Sequence, residues 1–205
     1  MGICYIVGAG DCAELPKCAE GDFLIAADGG YRHLAARGIT PDLLLGDLDS
    51  FTGELPSCPL LRYPAEKDDT DTALAIRAGE ERGYREFRIY GALGGDRLDH
   101  TVAMLATLAA CALRGLHVTL FGGRTRVFAL ASGEKHFSPP SRGYLSVFAA
   151  CGAAEGVTLT GLKYTLTDAT LTPDRPLGVS NEFLPNTPAC VAVKTGCLIL
   201  IWNEE

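Results

Sequence analysis

The chain has 205 residues, 47% hydrophobic and 21% charged, with a formal net charge of -7. This composition excludes a disordered chain and leaves room for one large domain or two small ones. The acidic balance argues against a nucleic-acid-binding face, and no apolar stretch reaches the roughly 20 residues of a membrane span.

No cationic and then apolar leader opens the chain, so a cytoplasmic protein is expected. Eight cysteines, at positions 4, 12, 18, 58, 111, 151, 190 and 197, show no pair with the two-residue spacing of a zinc or redox motif. Several lie in apolar runs, and all are read as reduced core thiols.

Taken in order, Gly2 to Val7 reads as a buried strand ending in Gly8-Ala9-Gly10-Asp11. A second strand, Phe23 to Ala27, runs into Asp28-Gly29-Gly30, and a helix from Tyr31 to Arg37 is closed by Gly38. Pro41 precedes a third strand, Leu43 to Leu45, and the proline-bearing stretch from Gly53 to Pro64 reads as a surface loop. A helix from Thr70 to Arg82 starts on Asp69 or Thr70 as N-cap, with Asp71 in its first turn. Phe87 to Tyr90 is a fourth strand, followed by Gly91 to Gly95, an apolar helix from His100 to Leu113 packed on the sheet, and a strand from Val118 to Phe121.

Short strands alternating with helices indicate a parallel sheet covered by helices. Beyond Val127 the texture changes to short apolar or alternating runs at Arg126 to Ala131, Tyr144 to Ala149, Val157 to Leu162, Cys190 to Val193 and Leu198 to Trp202. The expected fold is an α/β nucleotide-binding domain over residues 1–126, followed by a small antiparallel β-sandwich or half-barrel over 127–205.

The chemistry concentrates in acids at element ends. Asp47 and Asp49 follow the apolar run Leu43 to Leu45, and residues two apart in an extended strand face the same side. Two neighbouring carboxylates repel unless a cation or donors lie between them, and Mg²⁺ joins one or two carboxylates to substrate phosphates. Asp71 is the third candidate, while Glu66, Asp68 and Asp69 suit capping or solvent. Arg97 can grip phosphate through two donors, with Asp99 holding it or binding metal; His100 fits a structural cap or a participant equally.

Gly8-Ala9-Gly10-Asp11-Cys12-Ala13 also fits the dinucleotide fingerprint, with Asp28 about 20 residues beyond. Pro16 and Lys17 interrupt the helix that NAD binding needs, and the later acids would have no role. A Mg-nucleotide enzyme fits the residues better.

These motifs resemble the thiamine pyrophosphokinase family. The likeness rests on Ala27-Asp28-Gly29-Gly30, on Pro41-Asp42 before Gly46-Asp47-Leu48-Asp49-Ser50, and on Lys67-Asp68-Asp69-Thr70-Asp71. Gly91 to His100, Gly161-Leu162-Lys163-Tyr164 and Ser180-Asn181-Glu182-Phe183 follow in the same order.

The resemblance implies transfer of pyrophosphate from ATP to the hydroxyl of thiamine, by a homodimer with thiamine at the subunit junction. It implies that Asp47, Asp49, Asp71 and Asp99 bind Mg²⁺ or orient the hydroxyl and that Arg97 steadies the phosphates. Asp28, Gly29, Gly30, Ser50, Lys67, Thr70 and His100 then belong to the ATP site. Tyr164 would lie against the thiamine rings, with Ser180 and Asn181 on the pyrimidine.

A carboxylate can accept the hydroxyl proton, and Asp71 is the candidate. Leu48, Met104 and the additional Asp96 depart from the family pattern, the last beside Arg97. A pyrophosphokinase acting on a pterin alcohol, or a nucleotide or thiamine sensor without catalysis, stay as alternatives.

Overall fold

The computed structural model describes residues 2–48, 56–64, 69–94 and 97–205. The chain resolves into two compact units, Met1–Val102 with Leu120–Gly123, and Ala103–Thr119 with Arg124–Glu205.

The first unit holds β1 (Cys4–Val7), β2 (Phe23–Ala27), α1 (Tyr31–Ala35), β3 (Leu43–Gly46), β4 (Leu60–Arg62), α2 (Asp71–Glu81) and β5 (Glu86–Tyr90). Its strands pair in the order β5-β1-β2-β3-β4, all parallel. β1, β2 and β3 are almost wholly buried, which explains why they read as continuous apolar runs. Alternate residues serve opposite faces: Tyr5, Val7, Leu24, Ala26 and Leu44 pack with Tyr31 and Leu34 of α1.

The helix α2 follows the expected rule at its start. Thr70 is the N-cap, its Oγ1 accepting from Ala73 N at 3.2 Å, with Asp71 in the first turn. Gly79 brings α2 down onto the sheet, since a Cβ there would come within 2.6 Å of the Phe87 ring and 2.8 Å of Cys4 Sγ.

One expectation changes in this unit, and the rejection of the dinucleotide fingerprint holds. The loop before Pro64 contains β4, a short edge strand whose Leu61 and Arg62 are exposed, so no continuous apolar run announced it. Gly8 to Ala13 is followed by irregular chain, and the first helix arrives only after β2. The dinucleotide fingerprint therefore lacks the helix that would hold a pyrophosphate.

α3 (Leu98–Leu113) and β6 (His117–Gly122) run across the division between the units. α3 buries Met104, Leu108, Ala109 and Cys111, while Leu98, Val102 and Leu113 stay exposed.

The second unit is built from β7 (Thr125–Phe137), β8 (Tyr144–Ala149), β9 (Ala154–Thr160), β10 (Leu166–Leu171), β11 (Gly178–Glu182) and β12 (Ala189–Asn203). β12 is its spine. It pairs antiparallel with β7 along nearly its whole length, with β9 through its first half and with β8 through its second. β10 extends β9 and β11 extends β8.

The runs Cys190 to Val193 and Leu198 to Trp202 are thus one strand, not two. Lys194, Thr195 and Gly196 interrupt the apolar pattern where the register shifts between Val193 and Cys197. β10 and β11 were not foreseen, because irregular pairing and polar residues such as Thr167, Asp168 and Ser180 hide their alternation.

A single apolar cluster draws on these strands, including Phe128, Val147, Val157, Leu159, Val191 and Leu200. At its edge Phe137 meets Phe183 at 5.2 Å and Trp202 at 5.8 Å between ring centroids, each contact worth about 0.5–1.5 kcal/mol beyond area burial.

All eight cysteines are free, yet only Cys4, Cys111 and Cys197 are buried. Cys18 and Cys151 are exposed, so the reading of every cysteine as a core residue is corrected. Burial pushes the Cys4 thiol up to about 12. Among the described residues no helix is long and apolar enough to cross a membrane.

Candidate active site

In the first unit the candidate residues gather where the parallel strands end, the usual ligand edge of such sheets. β2 runs straight into a single 3-10 turn, Asp28–Gly30, with Asp28 in the left-handed region at φ 46°. A side chain at Gly30 would strike the Val7 carbonyl oxygen, so this turn presses against the end of β1. At the end of β3, Gly46 takes φ 146°, and a Cβ there would lie 2.9 Å from Asp28 Cα. The ends of β2 and β3 are therefore in direct backbone contact. The family-like tetrapeptide Ala27-Asp28-Gly29-Gly30 and the segment Gly46-Asp47-Leu48 form one place in the fold.

Asp28 carries the clearest sign of a ligand site. Its Oδ1 is buried and accepts no hydrogen bond among the described residues. A buried carboxylate oxygen left without a donor is costly, and a cation or a ligand N–H or O–H would satisfy it. Leu48, directly after Asp47, also lies in the left-handed region at φ 59°, so the chain turns sharply just after the first acid of the pair. Asp49, Ser50, Lys67 and the additional Asp96 lie outside the described residues.

The remaining acids separate by role. Asp42 Oδ2 accepts from Leu24 N at 2.8 Å and ties β2 to the chain entering β3, a structural duty. Asp69 accepts from Arg77 Nη2 at 2.6 Å and lies on the surface with it. Asp71, by contrast, is the first residue of α2, where the helix dipole favours a negative charge.

Arg97 and Asp99 form a two-point ion pair, Nε to Oδ1 at 2.9 Å and Nη2 to Oδ2 at 2.7 Å. The Arg97 guanidinium draws the Asp99 carboxyl down to about 2. Both side chains are more than half exposed. Of the two roles expected for Asp99, the structure displays the holding of Arg97. His100 is exposed in the first turn of α3, where its N–H donates to the Arg97 carbonyl at 3.1 Å.

In the second unit two motifs that are far apart in sequence lie side by side. Leu162 bridges Phe183, and the Lys163 N–H donates to the Glu182 carbonyl at 2.9 Å. Asn181, 2% exposed, completes the join: its Oδ1 accepts from Tyr164 N at 2.9 Å and Glu182 N at 3.0 Å, and its Nδ2 donates to the Tyr164 carbonyl at 2.6 Å. The ring it holds is 59% exposed. Ser180, with φ 55°, is exposed, and its N–H donates to Ser146 Oγ at 3.0 Å.

Sequence reasoning quoted Lys163 and Glu182 without giving them work. They form a 2.7 Å ion pair, and the Lys163 ammonium lies 5.6 Å from the Tyr164 ring centroid. Opposite charges in the two motifs were the available signal. Glu182 also lines a cavity of about 340 Å³ with Arg142, Tyr144, Phe183 and Asn186.

Comparison with known proteins assigns these two groups of residues to successive domains. The model for the thiamin pyrophosphokinase catalytic domain matches residues 17–120, and that for the thiamin pyrophosphokinase vitamin B1 binding domain matches residues 136–198. The thiamine pyrophosphokinase of Bacillus subtilis (strain 168) is 29% identical over 188 residues, 88% of this chain and 87% of its own length. Two solved structures are similar throughout. The Bacillus subtilis thiamine pyrophosphokinase superposes with a TM-score of 0.88 at 26% identity, covering 99% of both chains. The thiamin pyrophosphokinase of Geobacillus thermodenitrificans gives 0.85 at 26% identity, covering 99% of this chain and 98% of its own.

Proposed function

The chain belongs to the thiamin pyrophosphokinase family, and we infer from that membership that it transfers a pyrophosphoryl group from ATP to the hydroxyl of thiamine. The observation that carries this function is the presence of both the catalytic and the vitamin-binding segment, in order, on one chain. A pterin pyrophosphokinase and a non-catalytic sensor find no support in the comparisons.

In this reaction the thiamine oxygen bonds to the β-phosphorus of ATP while the bond from that phosphorus to the α,β-bridging oxygen breaks. AMP leaves with the bridging oxygen. Catalysis is mostly alignment and charge neutralisation. We assign Asp71 the proton of the thiamine hydroxyl, because it opens α2, whereas Asp99, in the first turn of α3, is engaged by Arg97. Arg97, poised by Asp99, would move onto the phosphates, a geometry its two-point pairing already rehearses on a carboxylate.

The residues present also fit Mg²⁺: Asp28 offers a buried carboxylate oxygen without a donor among the described residues, beside Gly46-Asp47. Asp47, Asp49 and Asp71 would hold the ion, with Asp99 joining them if Arg97 turns to substrate. Bound there, Mg²⁺ supplies neutralisation of phosphate charge. Gly29, Gly30, Ser50, Lys67, Thr70 and His100 are assigned to the ATP side.

On the thiamine side, the exposed Tyr164 ring is the platform for the cationic heterocycle. Asn181 acts through it, as a positioning residue, and Ser180 faces the pyrimidine. The exposed apolar residues Leu177, Val179 and Leu184, on and beside β11, support a homodimer that covers the thiamine site. We keep residues 1–126 as the nucleotide-binding domain and 127–205 as a thiamine-binding β-sandwich, and we place the enzyme in the cytoplasm.

The test offers purified protein Mg-ATP with thiamine or with a pterin alcohol and follows AMP release. Release that depends on thiamine is expected, and release with the pterin alone would overturn the assignment.

A further inference from the structure

The hairpin-like pairing of β7 with β12 brings together three metal-ligating side chains that no part of pyrophosphoryl transfer uses. Cys190 is directly opposite His136, and Glu134 lies two residues before His136 on the same strand and the same face. One carboxylate oxygen, one imidazole nitrogen and the thiol sulfur all lie within 4.8 Å of one another. His136 Nε2 is 3.1 Å from Glu134 Oε2. The intervening Lys135 does not fill the cluster with its own cation, because its ammonium sits 5.0 Å from the Phe128 ring centroid.

We propose that Glu134, His136 and Cys190 form a binding site for a borderline-soft divalent cation of the zinc class, open to solvent at a fourth position.

Nitrogen and sulfur donors select such ions over Mg²⁺, which takes oxygen ligands. Tetrahedral bonds of about 2.0–2.3 Å put neighbouring ligand atoms about 3.5 Å apart, so closing on the ion needs only small side-chain movements. The two side chains of β7 are exposed and free to make them, and Cys190 is half-buried beside them. Burial and the Glu134 carboxylate hold the Cys190 proton in place, and coordination expels that proton to solvent. No spacing motif flags the site, since its ligands come from strands more than fifty residues apart and meet only through the register.

The test titrates the full chain with Co²⁺ under argon, with Mg²⁺ in excess to fill oxygen sites, and reads the near-ultraviolet thiolate-to-cobalt absorption. One equivalent with that band is expected, and Zn²⁺ should displace it. Cys190→Ser should remove the band, and His136→Gln should weaken binding by about tenfold or more. Both positions lie on a sheet surface, and far-ultraviolet circular dichroism checks that each variant is folded. Absence of the band in the parent chain, or its survival in folded Cys190→Ser, overturns the proposal.

Discussion

The two units hold their candidate residues by different means. In the parallel unit the backbone does the positioning: tight turns at the ends of β2 and β3 press Asp28 against Gly46, and a buried carboxylate oxygen is left without a donor among the described residues. In the antiparallel unit a side chain does it, as Asn181 spends its amide on the main chain around Tyr164 and leaves the ring exposed. The first arrangement stores unmet electrostatic demand, which suits phosphates and cations. The second is internally satisfied and presents a rigid aromatic face, which suits a flat organic cation. The contrast predicts a division of labour, with turnover governed by the first unit and thiamine affinity by the second.

The largest effect should come from Asp71→Asn. Loss of a proton acceptor lowers kcat by about 10²–10⁴-fold. Thr70 remains as the cap, so thermal unfolding should be nearly unchanged; near-parental kcat in steady-state assays would break the assignment.

Asn181→Ala comes next. It strands main-chain groups in a buried position and should cost about 1–3 kcal/mol in chemical denaturation. Thiamine KM should rise with it while ATP KM holds, because the loss acts through Tyr164.

Tyr164→Ala sharpens the same contrast without the stability cost. Removing an aromatic face from a cation forfeits about 0.5–2 kcal/mol. That should appear in thiamine KM alone, and an equal rise in ATP KM would refute the division.

The smallest effect concerns Asp99. Its carboxyl is lowered in the folded chain, so the pair with Arg97 is present above the ordinary carboxylate range and is lost only as pH falls toward about 2. Between pH 5 and 8 this pair should add no pH dependence. NMR titration of Asp99 should show the low midpoint, and Arg97→Gln should raise it.

Much of the parallel unit was legible because its strands are buried on both faces and read as apolar runs such as Leu43-Leu44-Leu45. Its helix α2 announced itself through Thr70 and Asp71. β4 escaped because an exposed edge strand needs no apolar run. In the antiparallel unit β10 and β11 escaped because irregular registers destroy the period of two on which strand reading depends. β12 was divided at Lys194-Thr195-Gly196 for the same reason.

Within the candidate site, residue types at element ends were legible, including Asp28, Asp71 and Tyr164. The contacts were not. That Asp99 grips Arg97, that Asn181 ties Tyr164 in place, and that Lys163 meets Glu182 all depend on pairings across space that no local pattern encodes.

The most direct test follows the phosphorus of ATP by ³¹P NMR while the purified chain works on thiamine with Mg²⁺. The account predicts that AMP and thiamine diphosphate appear in equal amounts and that no ADP forms. Accumulation of ADP, or of AMP without the thiamine product, would contradict it.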